Sequence, residues 1–411
     1  MRNYILFLLT FGFAVHFSAC NSIEKKAVPA DEKMQFVVGQ FENVLSEVDD
    51  STKFPRTIME EGKLRTTGVF GWTSGFFPGS LWYLYEITGD SKWQTEAVKW
   101  TEALAPVQFY TADHDVGFMI NCSYGNGLRF ADKTEYEEVI INAAQSLSTR
   151  YNPVAKIIKS WNYKRSWDGH TEWFYPVIID NMMNLELLFE ATRLSGDNSF
   201  KNIAVQHALT TMENHYRDDF SCFHVVNYDT ITGTAADQGN NQGFADESAW
   251  ARGQAWGLYG FTTCYRYTKD EVFLKFAENI ADFILEHPNL PEDMVPYWDF
   301  NVGEPGMNPK WGYDASKFTE IPRDASAAAI ICSALFELGT FSAANADRYF
   351  EAASTIFESL SSPAYMNTSG NNNYFILNHS VGSIPHGVEI DVPLVYADYY
   401  FLEALYRKMN L

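Results

Sequence analysis

Six helix-like segments, apolar nearly all round, recur along the chain and constrain its fold more than any other feature. They begin at GWTSGFFPGSLWYLY, HDVGFMI, IIDNMMN, DESAWARGQAWGLYG, RDASAAAII and IDVPLVYADYYF. A helix apolar on every side has to be enclosed by other helices. Between the six lie amphipathic segments. In EVFLKFAENIADFILEH, Phe273, Phe276, Ile280, Phe283 and Ile284 mark one face, and Lys275, Glu278, Asp282 and Glu286 mark the other. Five amphipathic segments offer an aspartate near their start (Asp90, Asp132, Asp197, Asp270 and Asp347), expected as N-caps. Inner helices alternating with outer ones predict an all-α fold, an (α/α)6 barrel built as a toroid of six helical hairpins. Such a ring also accommodates 411 residues without one oversized core. The aspartate spacings of 42, 65, 73 and 77 residues are too long and irregular for a helical-repeat solenoid. The extra length falls in Gly-, Asn- and Pro-punctuated loops such as VVNYDTITGTAADQGNNQGFADE, and loops that long in a compact domain are usually functional.

The chain start, MRNYILFLLTFGFAVHFSAC, has a basic n-region at Arg2 and an apolar run of signal-peptide length. FSAC resembles a bacterial lipobox, which would make Cys20 the lipidated first mature residue; an ordinary signal peptide is the alternative. The expected organisation is a lipoprotein signal peptide over 1–19, a polar tether over 20–32 and one catalytic domain over 33–411. The expected location is the cell envelope, on a periplasm-facing outer-membrane lipid anchor. Cys122, Cys222, Cys264 and Cys332 are widely spaced and read as buried free thiols. A formal charge of −22 argues against nucleic acid as a partner.

In an up-down ring all inner helices run the same way, so their N-termini gather at one mouth. Asp115, Asp180, Asp246, Asp324 and Asp391 lie at or near those starts. Capping is the ordinary role of such aspartates, but two stand out. Asp115 is flanked by His114 and followed by Gly117, which permits close approach. Asp180 lies between Ile179 and Met182, an apolar setting that raises a carboxyl pKa. A carboxylic acid kept protonated near neutral pH suits general-acid catalysis on a glycoside. Trp72, Trp250, Trp256 and Trp298 fall in or beside the mouth segments and could stack on sugar rings, with ordinary core packing as the alternative. Arg252 sits on an apolar helix and needs a carboxylate, either Asp246 or one on the substrate. No HExxH, GxSxG, P-loop or strand-associated GxGxxG occurs, and the histidines show no metal spacing. No metal or cofactor is expected.

HDVGF, FHVVNYD, IIDNMMN, QGFADESAWARGQAWGLYG and PYWDF together resemble the unsaturated glucuronyl hydrolases, glycoside hydrolase family 88, over most of the chain. The resemblance implies the same barrel. It also implies a hydrolase that removes a 4,5-unsaturated uronic acid from the non-reducing end of lyase-generated oligosaccharides, by hydrating the C4=C5 vinyl ether. In that pattern Asp180 is the acid/base and Asp115 holds ring hydroxyls. His224 and Gln242 line the unsaturated sugar, Trp72 and Trp256 stack, and Arg252 contacts the substrate carboxylate or neighbouring polar groups. Ser380 and Ser383 lie where some relatives bind sulfate, although no lysine follows between Ile384 and Gly387. Competing expectations are an unsaturated rhamnogalacturonyl hydrolase, an inverting glycosidase using Asp115 and Asp180, and a glycan-binding lipoprotein without activity. A monomer or small homo-oligomer is expected.

Overall fold

A computed structural model describes residues 32–59, 61–366 and 373–411. The expected signal peptide, Cys20 and the expected tether lie outside the described residues, except that Glu32, assigned to the tether, already starts the first helix.

Six outer helices occur among the described residues: α1 (Glu32–Glu47), α3 (Ser91–Glu102), α6 (Glu137–Ser148), α8 (Asn198–Asn214), α10 (Glu271–Glu286) and α12 (Ala346–Leu360). The inner set is α2 (Phe76–Thr88), a second helix in two pieces, α7 (Leu185–Ser195), α9 (Ala251–Thr268), α11 (Ala325–Phe341) and α13 (Val395–Met409). The two-piece helix comprises α4 (Val116–Ile120) and α5 (Asn126–Ala131), joined by a π-helical turn at Asn121–Gly125. Consecutive inner helices pack side by side, and α13 packs on α2 to close the ring. The fold is therefore an (α/α)6 barrel. Enclosure matches composition: Ala251–Cys264 of α9 are all buried, while α10 buries only one face, through Phe273, Ile280 and Ile284.

Three of the five expected N-caps form. Asp90, Asp197 and Asp270 accept the backbone N–H groups of Lys92, Ser199 and Val272. Asp132 instead ends α5 in a left-handed conformation, which a short polar side chain tolerates, and a 3-10 turn at Thr134–Tyr136 precedes α6. Asp347 lies inside the first turn of α12, behind Asn345. The four cysteines Cys122, Cys222, Cys264 and Cys332 are buried and unpaired.

Short strands decorate the loops. β1 (Phe54–Ile58) pairs with β2 (Leu64–Thr67), β3 (Tyr151–Asn152) with β4 (Ile157–Ile158), and β5 (Lys164–Arg165) with β6 (Glu172–Trp173). β7 (Pro176–Ile178), β8 (Val225–Tyr228) and β9 (Ala235–Gly239) form an antiparallel sheet in that order, and β10 (Ser380–Ser383) pairs with β11 (Val388–Val392). Strand β7 runs directly into the 3-10 turn Ile179–Asn184 that opens α7, which delivers Asp180 to the mouth.

Candidate active site

At the N-terminal mouth of the inner helices lies a cleft of about 220 Å³, lined by Trp72, Asp115, Trp161, Asp180, Gln242, Arg252, Ser383, His386, Tyr396 and an Arg56–Glu389 pair, among others. A larger cavity of about 770 Å³ lies at the opposite end, where Arg266, Glu337 and Arg407 pair across the helix C-termini.

Asp115 occupies the N-cap position of α4 but makes no side-chain cap bond. Its turn is held by the carboxylate of Asp113, which accepts the Asp115 N–H at 2.9 Å. Gly117 matters because Asn184, from the start of the neighbouring inner helix, packs where a Cβ would be, 2.4 Å away, and its Oδ1 accepts the Phe118 N–H. The close approach expected at this glycine is made by the protein's own side chain. His114 Nε2 stands 3.4 Å from Asp115 Oδ1, and burial pushes its pKa down to about 3, so it is neutral.

Asp180 lies in a first helical turn without capping it. His224 Nδ1 accepts the Asn241 N–H at 3.0 Å, so a neutral imidazole must carry its proton on Nε2, which faces Asp180 Oδ2 at 3.7 Å. Burial holds the His224 pKa well below its usual value, which favours that neutral form. The indole N–H of Trp256 is turned toward Asp180 as well. Yet Asp180 Oδ2, His224 Nε2 and Trp256 Nε1 all lack a hydrogen-bond partner at close geometry. Such a group of buried polar atoms is costly unless a ligand or water joins it. Burial raises the Asp180 pKa to about 6, against the nearby Arg252 charge. Burial, with Asp113 and Asp180 as like-charged neighbours, raises that of Asp115 well above the carboxylate range. Both side chains keep an opening to the cleft, with 15% and 13% exposure.

The remaining nominated residues divide. Gln242 and Trp72 line the cleft, and Ser383 sits at its edge with Oγ 2.7 Å from His386 Nδ1. Arg252 pairs with Asp324 at 3.0 Å rather than with Asp246, and also donates to the carbonyls of Val381 and Gly382. Trp250, Trp256 and Trp298 are fully enclosed, so none offers a face for stacking. Trp250 packs edge-on against His224 and lies 4.5 Å from the Arg252 guanidinium. Ser380 is buried behind the cleft. The five mouth carboxylates do not converge either. Asp246 pairs with Lys310, Asp324 caps α11 beneath Arg252, and Asp391 pairs with His379 on an exposed edge. Only Asp115 and Asp180 of the five line the cleft.

Arg56, Trp161, His386 and Tyr396 line the cleft without having been singled out. Three come from loops or hairpins whose placement no periodicity encodes. Tyr396 does carry a sequence signal, since it falls in the inner-helix segment IDVPLVYADYYF: it lies in the first turn of α13, is 1% exposed, and its hydroxyl has no partner.

Barrel and cleft together define a glycoside hydrolase of the (α/α)6 class. No protein-family model matches the chain. It is 44% identical over 417 residues to an unsaturated glucuronyl hydrolase from Formosa agariphila, an alignment covering all of this chain and 99% of that one. It is 30% identical to an unsaturated chondroitin disaccharide hydrolase from Streptococcus pyogenes, over 86% of this chain and 85% of the relative. A crystal structure of an unsaturated glucuronyl hydrolase specific for heparin superposes with a TM-score of 0.84 at 42% identity, over 92% of this chain and 96% of that one. The chain belongs to the unsaturated glucuronyl hydrolases, and it is an enzyme.

Proposed function

We propose that this enzyme removes the 4,5-unsaturated uronic acid from the non-reducing end of glycosaminoglycan oligosaccharides left by lyases, with Asp180 as the acid/base. The observation that carries the assignment is the setting of Asp180: largely enclosed but open to the cleft, raised to about 6, and faced by two N–H donors without partners. A protonated Asp180 donates to C4 of the enol ether, leaving positive charge shared by C5 and O5. The Asp180 carboxylate then takes a proton from water as its oxygen bonds to C5. The resulting hemiketal opens by breaking C5–O5, and the hemiacetal exposed at C1 expels the aglycone. One residue handles both protons, so no second carboxylate nucleophile is required.

Asp115 accepts hydrogen bonds from ring hydroxyls, which favours its ionised form in the loaded cleft. Trp72 supplies the open aromatic surface, and Gln242 a polar contact. Trp256 and His224 serve through their N–H groups at Asp180, and Trp250 supports His224 and Arg252. Ser383 and His386 flank the next sugar. The relatives that act on heparin and on chondroitin support a glycosaminoglycan source. The test is a panel of unsaturated disaccharides from chondroitin, hyaluronan, heparin and pectin, followed by ultraviolet absorbance of the conjugated double bond. Turnover of the pectin-derived substrate alone would sink the glycosaminoglycan assignment.

The leader and lipobox-like FSAC support an envelope location with a lipid on Cys20. Metabolic labelling with a radioactive fatty acid should mark the wild-type protein and not Cys20→Ala; label on both would refute the anchor.

A further inference from the structure

We propose that Arg150 is a positioning residue for the reaction: its guanidinium fixes the turn carrying Asp115 against the turn carrying Trp161, and its charge supports Asp115 as an anion. The inference rests on the functional reading above. Arg150 lies two residues past α6, on the outer ring, and only 8% of it is exposed.

All five of its side-chain hydrogen bonds go to carbonyl or amide oxygens. Nε donates to the Lys159 carbonyl at 2.8 Å, and Nη1 to that of Thr111 at 2.6 Å. Nη2 reaches the Ser160 carbonyl at 3.0 Å, and both terminal nitrogens reach Asn162 Oδ1 at 3.3 and 3.2 Å. Thr111 begins the turn that ends at Asp115. Ser160 extends the strap to both carboxylates: its Oγ lies 3.3 Å from His114 Nδ1 and accepts the N–H of Ile178, two residues before Asp180. One planar fork therefore sets the relative placement of segments that carry Asp115, Trp161 and Asp180. Lysine could supply the charge but not the fork.

A buried cation bonded only to neutral oxygens retains a field at its surroundings. The charged and titratable groups around Asp115 are Tyr110, Asp113 and His114 on its own turn, Asp180 from the start of α7, and Arg150 behind α6. Asp113 and Asp180 oppose ionisation of Asp115, and Arg150 favours it. The two cleft carboxyls titrate together, so removing this cation makes the pair easier to protonate.

The experiment compares kcat, KM and the pH profile of kcat/KM for wild type, Arg150→Lys, Arg150→Met and Asp113→Asn on one unsaturated disaccharide. Arg150→Lys should lose about tenfold or more in kcat through misplacement, with the acid limb where wild type has it. Arg150→Met should lose kcat likewise and move its acid limb to higher pH. Asp113→Asn leaves Arg150 in place and should move the limb to lower pH, which keeps the idea testable if Arg150→Met does not fold. Unmoved limbs in Arg150→Met and Asp113→Asn, with wild-type kcat in Arg150→Lys, would overturn the inference. Failure of the wild type to consume the double bond would instead overturn the functional reading.

Discussion

Asp115 and Asp180 stand at helix starts, where an aspartate ordinarily caps, and neither side chain does so. A carboxyl at a helix start that does not cap the helix and faces a cleft is left available to a ligand. Asp180→Asn keeps the shape and removes the proton, and turnover should fall by about a thousandfold. Asp115→Asn weakens charge-assisted hydrogen bonds to the sugar, and kcat/KM should fall ten- to a hundredfold with the protein still folded; near-normal kinetics would demote it to a turn residue. Because burial lifts the Asp180 pKa to about 6, kcat/KM should decline as pH rises past about 6. These two residues were legible in the sequence because an aspartate between large apolar neighbours, or before a glycine, is visible locally. The roles of Trp256 and Trp250 were not, since composition cannot tell a ring offered to a sugar from one enclosed behind the site.

At the scale of elements, α9 and α11 are joined where the mouth is built. Asp324 caps α11 through the N–H groups of Ser326 and Ala327, and its other oxygen holds Arg252 of α9. Arg252 in turn holds β10 by two carbonyls. Asp324→Ala should strand a buried guanidinium and cost about 3 kcal/mol of stability, measured by urea unfolding; a loss under about 1 kcal/mol would mean the carbonyls suffice. The sequence shows that Arg252 needs a carboxylate, but selecting Asp324 over Asp246 required knowing which loop folds back on α9. Inner-helix identity was legible, as the six apolar segments correspond to the six inner helices. The outer helix α1, however, is not among the five amphipathic segments, and the π-helical break in the second inner helix has no local signature. Cap identity was less legible. Asp132 and Asp347 share the local pattern of Asp90, yet a left-handed helix end and a one-turn offset depend on the connection preceding the helix.

For the whole molecule, the ring gathers the two cleft carboxyls at one mouth and lines the cavity at the other end with ion pairs. Three buried carboxyls, Asp398, Asp299 and Asp180, are raised by burial to about 8, 6 and 6. Their folded pKa values exceed the unfolded one, so the native state holds the extra protons and their contribution to stability falls as pH rises from about 4 to 8. Glu337 works oppositely: burial is outweighed by Arg266 and Arg407, which hold it near 2, so its contribution is lost only in stronger acid. Buried neutral His114, His207, His215 and His224, held well below the usual imidazole value, oppose the trend of the raised carboxyls below about pH 6.5. The urea midpoint should therefore fall as pH rises from about 7 to 8.5, and less so in Asp398→Asn; a midpoint that rises over that interval would contradict these assignments. The proposed catalysis at that one mouth rests on protonation of a vinyl ether by Asp180. Its most direct test is the ultraviolet absorbance of an unsaturated glycosaminoglycan disaccharide incubated with wild type and with Asp180→Asn. Wild type should abolish the signal and the variant should leave it; persistence with wild type, or equal loss with both, would rule out Asp180 as the proton donor.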